Sequence, residues 1–362
     1  MKKTLLCSAL LASFCGVASA QSSVTMYGVV DTGVYVQKNQ GEAATVQMNS
    51  GNWLGSRWGI KGKEDLGNGY SVGFVLEQGF DSDSGAAADE KKSFSRQSTL
   101  SVSGPFGEVA FGRMGGLSSD LGSYSILGGS AYTTSFMAIG DMYSAFALTD
   151  RMNNSIVYVS PEFGGFTATA MYSNGTVEDT EKWSKNGHYY GIGGVYSNGP
   201  LSFDVIYEAL DNKDADVKSD TTQLINLGAS YDFGSFTLYG AYEYAIHSAM
   251  PNGAEPAGFK NEGKGANFNA FSLSVSAPLC GGTAMLQTQY AFGKVKNAKE
   301  TATDDKFSTF SVGAAYLYPL SKRTLIYTST GYGTAWKAAR HLTEKSDSYR
   351  GWNIGLGMTH QF

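Results

Sequence analysis

Apolar and polar side chains alternate with a period of two along most of this chain, up to its last residue, Phe362. Such alternation places successive side chains on opposite faces of a β-strand. Beyond residue 20 there is no run of 18 apolar residues, so no membrane-spanning helix is predicted. Strands that cross lipid must close into a barrel, because every backbone polar group there needs an internal partner. In the last segment, one face carries Trp352, Ile354, Leu356, Met358, His360 and Phe362, and the other carries Gly351, Asn353, Gly355, Gly357, Thr359 and Gln361.

The composition fits a protein whose outer face lies in lipid. Charged residues are 16% of the chain, below the share of about a quarter that is usual in soluble proteins. Aromatic residues reach 13%, and glycine contributes 46 of 362 residues. A soluble domain of this length would carry more charge on its surface, whereas a lipid-facing barrel wall needs little.

Turn signals divide the chain into sixteen segments, with short and long connections in alternation. The short ones contain Gly, Asn, Asp and Pro, which supply the backbone angles of tight hairpins. An even strand count with short turns on one side is the pattern of bacterial outer-membrane proteins. The sequence therefore predicts an all-β fold, a 16-stranded antiparallel transmembrane β-barrel wide enough for an aqueous channel. The predicted strands are 23–37, 53–64, 69–81, 93–103, 108–114, 153–160, 165–174, 188–197, 200–210, 221–232, 235–247, 267–277, 282–294, 306–318, 323–333 and 349–362.

The first twenty residues predict a cleaved signal peptide. Lys2 and Lys3 precede an apolar stretch, and Ala18-Ser19-Ala20 is a small-residue cleavage site. A lipoprotein signal acylated on Cys15 is the alternative, which the bulky Phe14 disfavours. We predict one domain, residues 21–362, which is the barrel. Cleavage leaves Cys280 as the only cysteine, so neither an internal disulfide nor a cysteine-based metal site is expected.

One connection breaks the rhythm of the strands. From residue 115 to about residue 151 there is no clear alternation, and loops of this length are uncommon and usually functional. The segment is rich in aromatic, methionine and branched apolar residues, which indicates that it packs against something. It is the third long loop, and we expect it to fold into the barrel lumen. The alternative is a surface loop that covers the rim or a neighbouring subunit.

Arginines close to this loop are candidates for the pore lining. A charge that faces lipid is costly, so arginines in strands should point into the water. Opposed charges across a narrow pore filter ions and solutes, and the loop itself carries acidic residues. The alternative for any single arginine is a local ion pair with a carboxylate. The arginines are Arg57, Arg96, Arg113 and Arg151, and the loop acids are Asp120, Asp141 and Asp150.

Signals of other functions are weak. Gly69-Tyr70-Ser71-Val72-Gly73 matches the G-x-S-x-G pattern, but a nucleophile elbow needs a strand before it and a helix after it, and here a turn precedes and a strand follows. The four histidines are scattered and no cofactor is indicated. After cleavage, 25 basic residues (27 minus 2) face 32 acidic ones, a balance of −7 that disfavours nucleic acid. We expect no enzyme, although an enzyme on a barrel and an adhesive barrel stand as alternatives.

Five motifs are distributed over the whole mature chain. They are Met26-Tyr27-Gly28-Val29-Val30-Asp31, the run from Arg57 to Gly67, Phe111-Gly112-Arg113, Arg151 to Ile156, and Gly355 to Phe362. Together they resemble the Gram-negative general porins of the neisserial and burkholderial type. Two departures are Thr359, where the family often has arginine, and the unusually apolar third loop.

The resemblance implies an outer-membrane homotrimer that passes ions and small hydrophilic solutes by passive diffusion. It implies that Arg57, Arg96, Arg113 and Arg151 line the constriction, with Glu77, Asp120 and Asp141 as acidic partners. Phe362 would be part of the signal read by the barrel-assembly machinery, or else only an interfacial anchor. Residence in that membrane also implies contact with its lipids and lipopolysaccharide.

The sequence leaves the ion selectivity open. The net charge of about −7 attracts cations to the channel mouth, whereas the arginines favour anions at the narrow point. Charges at the narrow point are less screened by solvent, but the loop aspartates could cancel them.

Overall fold

The computed structural model describes residues 23–119, 121–126, 145–176, 182–211, 213–214, 217–218, 220–248, 265–295, 306–337 and 349–362. These residues are organised almost entirely as β-strands, with one short 3-10 turn at Trp183–Lys185. In the described part of the chain, no helix is long and apolar enough to cross a membrane.

Nineteen strands occur within the described residues. They are β1 (Ser23–Asn39), β2 (Thr45–Ser50), β3 (Arg57–Gly67), β4 (Tyr70–Gly79), β5 (Gln97–Gly104), β6 (Gly107–Gly115), β7 (Arg151–Val159), β8 (Phe166–Asn174), β9 (His188–Asn198), β10 (Leu201–Asp211), β11 (Lys213–Asp214), β12 (Val217–Lys218), β13 (Thr222–Asp232), β14 (Thr237–Ser248), β15 (Ala266–Leu279), β16 (Gly282–Val295), β17 (Lys306–Pro319), β18 (Thr324–Lys337) and β19 (Tyr349–Gln361).

Sixteen of these strands, β1, β3–β10 and β13–β19, form a closed antiparallel barrel in which each strand pairs with the next. The ring closes where β1 pairs with β19, from Val29 opposite Gln361 to Asn39 opposite Gly351. The predicted sixteen-strand barrel is therefore confirmed. The sequence analysis missed β2, which adds to β1, and the two-residue strands β11 and β12, which pair with each other.

The pleat separates two kinds of side chain. Outward-facing positions carry exposed apolar residues such as Leu356 on β19 and Phe203 on β10, which suits contact with lipid. Inward-facing positions carry polar and charged residues, among them Asn353 on β19 and Glu208 on β10, and these are buried inside the barrel. The alternation that was read from the sequence thus assigns each strand residue to lipid or to lumen.

The predicted strand at 53–64 starts too early. Ser50 of β2 pairs with Thr32 of β1, and Arg57 of β3 pairs with Val29. Between these pairs β1 has two residues, 30 and 31, whereas the other side has six, 51–56. β2 and β3 therefore pair with the same edge of β1. Four of the six residues between them have no opposite residue on β1 and leave the sheet. We call residues 51–56 the inward bulge, because Trp53 within it packs against lumen-facing residues of the wall.

The last residue, Phe362, forms two backbone hydrogen bonds with Gly28 of β1. The amide of Phe362 donates to the Gly28 carbonyl (3.1 Å), and the amide of Gly28 donates to the Phe362 carbonyl (3.0 Å). The aromatic ring of Phe362 covers Gly28 on the outward face, where a Cβ atom would lie 2.3 Å from the ring and 2.7 Å from the Arg57 carbonyl oxygen. Only glycine leaves room for this ring at the seam of the barrel.

The substitution Gly28→Ala tests this seam. The methyl group meets a backbone oxygen that cannot move freely, so we expect a loss of about 1–3 kcal/mol in stability, as overpacking usually costs. The measurement is the thermal unfolding midpoint of the detergent-solubilised barrel, followed by circular dichroism. Gly240→Ala is the matched control, since a Cβ there meets nothing within 4 Å. Equal midpoints for the two variants would contradict the proposed fit of ring and glycine.

Candidate functional site

Strand register brings the four arginines to one side of the lumen. Arg57 of β3 lies opposite Gly79 of β4. Glu77, two residues before Gly79 on the same strand, pairs with Gly59. Arg96 directly precedes β5, and Arg113 pairs with Ser98 of that strand. Arg151 begins β7 opposite Gly115. Residues that are far apart in sequence therefore meet at a similar height on the wall of β3–β7.

Glu77 is the centre of the first arginine pair. Its Oε1 lies 2.8 Å from Arg96 Nε, and its Oε2 lies 3.5 Å from Arg57 Nε. The Tyr27 hydroxyl also donates to Oε2 at 3.0 Å. One carboxylate is thus shared by two guanidinium groups, which leaves the pair with an excess positive charge. The structure thus places Glu77, which the sequence suggested as an acidic partner, between Arg57 and Arg96.

In the second pair, Arg113 and Arg151, the guanidinium group of Arg113 is held by neutral oxygens. Arg113 Nε donates to the Ser95 carbonyl (2.8 Å), and its Nη1 donates to Asn153 Oδ1 (2.8 Å). The register shifts between Gly112 and Met114, and such a bulge re-aims the side chain that it contains. Arg151 interacts electrostatically with Arg96, Arg113, Glu77 and Asp150, so all four guanidinium groups belong to one cluster.

The loop acids are placed only in part. Asp120 and Asp141 lie outside the described residues, so their predicted pairing across the pore stays a prediction. Asp150 is exposed beside the cluster, and its Oδ1 accepts the amide of Arg151 at 2.6 Å. Of the acidic residues considered from the sequence, Glu77 and Asp150 are therefore the two whose positions near the arginines are described.

The outgoing limb of the third loop, residues 116–119 and 121–126, turns into the lumen. The Tyr124 hydroxyl donates to Glu108 Oε1 (2.6 Å), and Ser123 donates to Gln97 Oε1 through its amide (3.2 Å) and its hydroxyl (3.1 Å). Leu117 and Ile126 are buried against the wall. The inward position that was expected for this loop is confirmed for its described parts.

The return limb, residues 145–150, is fixed by acceptors on the opposite wall. At every second residue of this limb, either the backbone amide or the side chain donates a hydrogen bond to one of three lumen-facing residues. Ala145 donates to Gln289 Oε1 (2.7 Å) on β16, and Ala147 donates to Glu243 Oε1 (2.7 Å) on β14. The hydroxyl of Thr149 donates to Glu208 Oε1 (3.0 Å) on β10. We call Gln289, Glu243 and Glu208 the acceptor row.

Glu208 joins both limbs of the loop. Its Oε1 also accepts the amide of Ser118 (3.1 Å) and the hydroxyl of Tyr189, whose oxygen in turn accepts the amide of Leu117 (2.9 Å). Glu208 and Glu243 are both fully buried. The sequence analysis missed the acceptor row. A carboxylate in a strand next to outward aromatics, as in Tyr207-Glu208, signals a lumenal acid, but the loop that it binds is not readable from the sequence.

A cavity of about 430 Å³ lies below the cluster on the same wall. Lys61 and Lys63 face it from β3, and the Lys61 ammonium lies 5.1 Å from the centre of the Tyr27 ring. Hydroxyl groups supply most of the remaining lining: Ser23, Thr25, Ser71, Thr99, Ser101, Ser103, Ser123 and Tyr124. Ser71, the centre of the G-x-S-x-G match, stands here in β4 directly after a turn and is followed by strand, which does not form a nucleophile elbow.

Comparisons with known proteins agree with this architecture. The family model described as Gram-negative porin matches residues 7–335. The chain belongs to this family. It is 31% identical to an outer membrane porin protein of Bordetella pertussis, over 100% of both chains, and 35% identical to outer membrane porin protein 32 of Delftia acidovorans, over 90% of this chain and 88% of that one. The anion-selective porin from Comamonas acidovorans superposes with a TM-score of 0.69 at 27% identity, and covers 94% of this chain and 100% of its own.

The porin family and the barrel define the role of the protein in general terms. It is an integral β-barrel of the Gram-negative outer membrane, and it forms a water-filled channel for passive diffusion. The family and the fold are those of channel proteins. The narrowed lumen between the arginine cluster and the third loop is the candidate selectivity site of this porin.

Replacement of Glu208 tests the fixation of the loop. Glu208→Ala removes an acceptor of three hydrogen bonds, and bonds to a charged group are worth about 1.5–3 kcal/mol each. We expect the third loop to loosen, with larger current fluctuations in single-channel recordings and a lower unfolding midpoint. Glu208→Gln keeps Oε1 and is the control that should behave as wild type. Quiet currents from Glu208→Ala would show that Glu208 does not hold the loop.

Proposed function

We propose that this porin passes small hydrophilic solutes and ions with a preference for anions, which is set by the arginine cluster. The observation that carries the proposal is the charge balance at this site. Four guanidinium groups, from Arg57, Arg96, Arg113 and Arg151, stand against three carboxylates that act on them among the described residues, those of Glu77, Asp150 and Asp89, and Asp89 is itself paired with Lys92 at 3.2 Å. The excess of positive charge stabilises an anion that passes the narrow point.

The lining of the cavity below the arginine cluster also favours anions. Lys61 and Lys63 share the lumenal face of β3 with Arg57, and the hydroxyl groups around them replace water around a passing ion. Glu108 is the acid of this cavity, and its two oxygens accept from Tyr124 and Ser103. An anion that leaves the arginines therefore meets further positive charge on its way.

The negative net charge of the chain favours cations, but it affects a passing ion less than the arginine cluster does. Exposed charges at distances beyond about 8 Å are largely screened at physiological ionic strength. Arg57 and Arg96 lie at the narrow lumen and are partly shielded from solvent, so their field acts on an ion at close range. Similarity to a porin that is described as anion-selective, at 27% identity, supports the same direction.

We also propose the finer properties that the family resemblance implies. The porin is exported with residues 1–20 as a cleaved signal and assembles as a homotrimer among outer-membrane lipids and lipopolysaccharide. The outward side chains Val24, Met26, Val46 and Met48 are more than 60% exposed in the single chain, and this aliphatic strip is a candidate subunit contact. Phe362 serves the barrel-assembly machinery as a recognition residue.

A double substitution tests the anion preference. Arg57→Gln combined with Arg113→Gln removes two positive charges from the cluster. A unit charge at 4 Å is worth about 1 kcal/mol even in bulk water, so we expect the chloride-to-potassium permeability ratio to fall at least roughly five-fold. The measurement is the reversal potential of the reconstituted channel in a salt gradient.

The control for this experiment is Lys322→Gln with Arg323→Gln. It removes the same charge from the exposed turn between β17 and β18, and the ratio should stay within the range of the wild type. If the cluster variant keeps the wild-type reversal potential, the arginines do not set the selectivity. A folded wild-type protein that gives no stepwise current would refute conduction itself.

A further inference from the structure

We propose that the inward bulge is a second constricting element of the channel, and that Asp31 positions Arg57 and Arg96 by holding this bulge in the lumen. The inference deepens the proposed anion preference and rests on it. It assigns a role to a buried carboxylate that does not itself touch the arginines. Asp31 is therefore a positioning residue and not a member of the charge cluster.

Asp31 binds the bulge at both of its ends through the main chain. Its carbonyl oxygen accepts the amide of Gly51 (3.0 Å) and the hydroxyl of Ser56 (3.0 Å). Its own amide donates to the same Ser56 hydroxyl oxygen at 3.0 Å. Gly51 has a φ of 71°, which glycine adopts readily, and this residue starts the turn into the lumen. Six residues are thus gathered over a two-residue length of β1.

The carboxylate of Asp31 holds the middle of the bulge. Oδ2 accepts the amide of Leu54 (3.2 Å), and Oδ1 accepts the hydroxyl of Tyr327 (2.7 Å) from β18. Asp31 has 0% exposure and Tyr327 has 1%. A buried carboxylate is costly unless its oxygens are paired, and here both oxygens are. The bulge is thereby tied to the wall two strands away.

Trp53 gives the bulge an apolar contact on that wall. Its ring centre lies 6.5 Å from that of Tyr327, and it packs with Leu317 and Leu325 around Met285 and Ala315. These residues face the lumen from β16, β17 and β18. The bulge therefore covers part of the wall formed by β16–β18, and it narrows the lumen from a second side.

The far end of the bulge meets the arginines directly. Arg57 Nη1 donates to the Gly55 carbonyl at 2.9 Å. A Cβ on Gly55 would lie 2.9 Å from Arg96 Nη1, so the bare Cα face of this glycine makes room for the second guanidinium group. Gly55 thus binds one arginine and shapes the space of the other. The path from Asp31 to both side chains runs through Leu54, which Asp31 binds, and the adjacent Gly55.

The sign of the effect separates positioning from simple electrostatics. Neutralising a lumenal carboxylate should raise the anion preference if only its charge counts. Asp31→Asn places an amide N–H₂ where an acceptor now binds Leu54 or Tyr327. If the bulge is released, the arginines lose their fixed orientation and the lumen widens, so the anion preference falls while the conductance rises.

The experiment compares Asp31→Asn with Asp204→Asn in planar bilayers. Asp204 is an equally buried lumenal aspartate on β10, and its replacement removes one lumenal charge without changing a residue that binds the bulge. We expect Asp31→Asn to lower the chloride-to-potassium permeability ratio by roughly two-fold or more, as the loss of one hydrogen bond predicts, and to raise the single-channel conductance. Asp204→Asn should leave the conductance unchanged and shift the ratio, if at all, towards anions.

Two milder variants keep the test decisive if Asp31→Asn does not fold. Tyr327→Phe removes one bond to the carboxylate, and Gly55→Ala displaces the end of the flexible Arg96 side chain. Both should lower the ratio, and only Tyr327→Phe should also raise the conductance. Wild-type values of ratio and conductance in the folded variants would overturn the proposal, as would a rise in anion preference with Asp31→Asn. A wild-type channel without anion preference would instead refute the proposed function, and the conductance would then decide the role of Asp31.

Discussion

Satisfaction of backbone polar groups in lipid is the constraint on which the rest of this structure depends. It forces the strands into a closed ring, and the ring assigns alternate residues to lipid or to water. The seam between β1 and β19 completes the ring, and Phe362 covers Gly28 at the end of the last strand. Since the outer face is apolar, charged side chains such as Arg57, Glu77 and Glu208 face the lumen. The candidate selectivity site is a consequence of this division.

A sixteen-strand barrel is too wide for its wall residues to meet across the lumen. Narrowing it requires chain segments that leave the sheet, and each such segment brings unpaired amide groups into the interior. The third loop solves this with Gln289, Glu243 and Glu208 as acceptors. The inward bulge solves it with Asp31. In both cases a side chain of the wall replaces the strand partner that the backbone has lost.

Much of this architecture is readable from the sequence because the period of two is a local property. All sixteen barrel strands and the position of the long loop were predicted, and the arginines were assigned to the lumen from the cost of charge in lipid. The bulge was not predicted, since residues 51–56 are held away from the ladder by contacts with distant residues such as Asp31 and Tyr327, which come from β1 and β18. The acceptor row escaped prediction for the same reason, because pairs such as Ala145 with Gln289 depend on the closed ring and not on neighbouring residues. Asp120 and Asp141 lie outside the described residues, so their roles remain predictions.

The two inserted segments also explain why positive charge prevails at the narrow point. Inserted backbone presents amide donors to the wall, so the wall needs acceptors, and the acids Glu208, Glu243 and Asp31 are buried beneath the segments that they hold. Their charge is opposed by N–H dipoles that point at them. The guanidinium groups do not bind the amides of the inserted segments, since an arginine side chain cannot accept a hydrogen bond. They remain at the edge of the water, where Arg57 and Arg96 share one carboxylate. Fixation of the loops and the proposed preference for anions are therefore two results of one division between acceptors and donors.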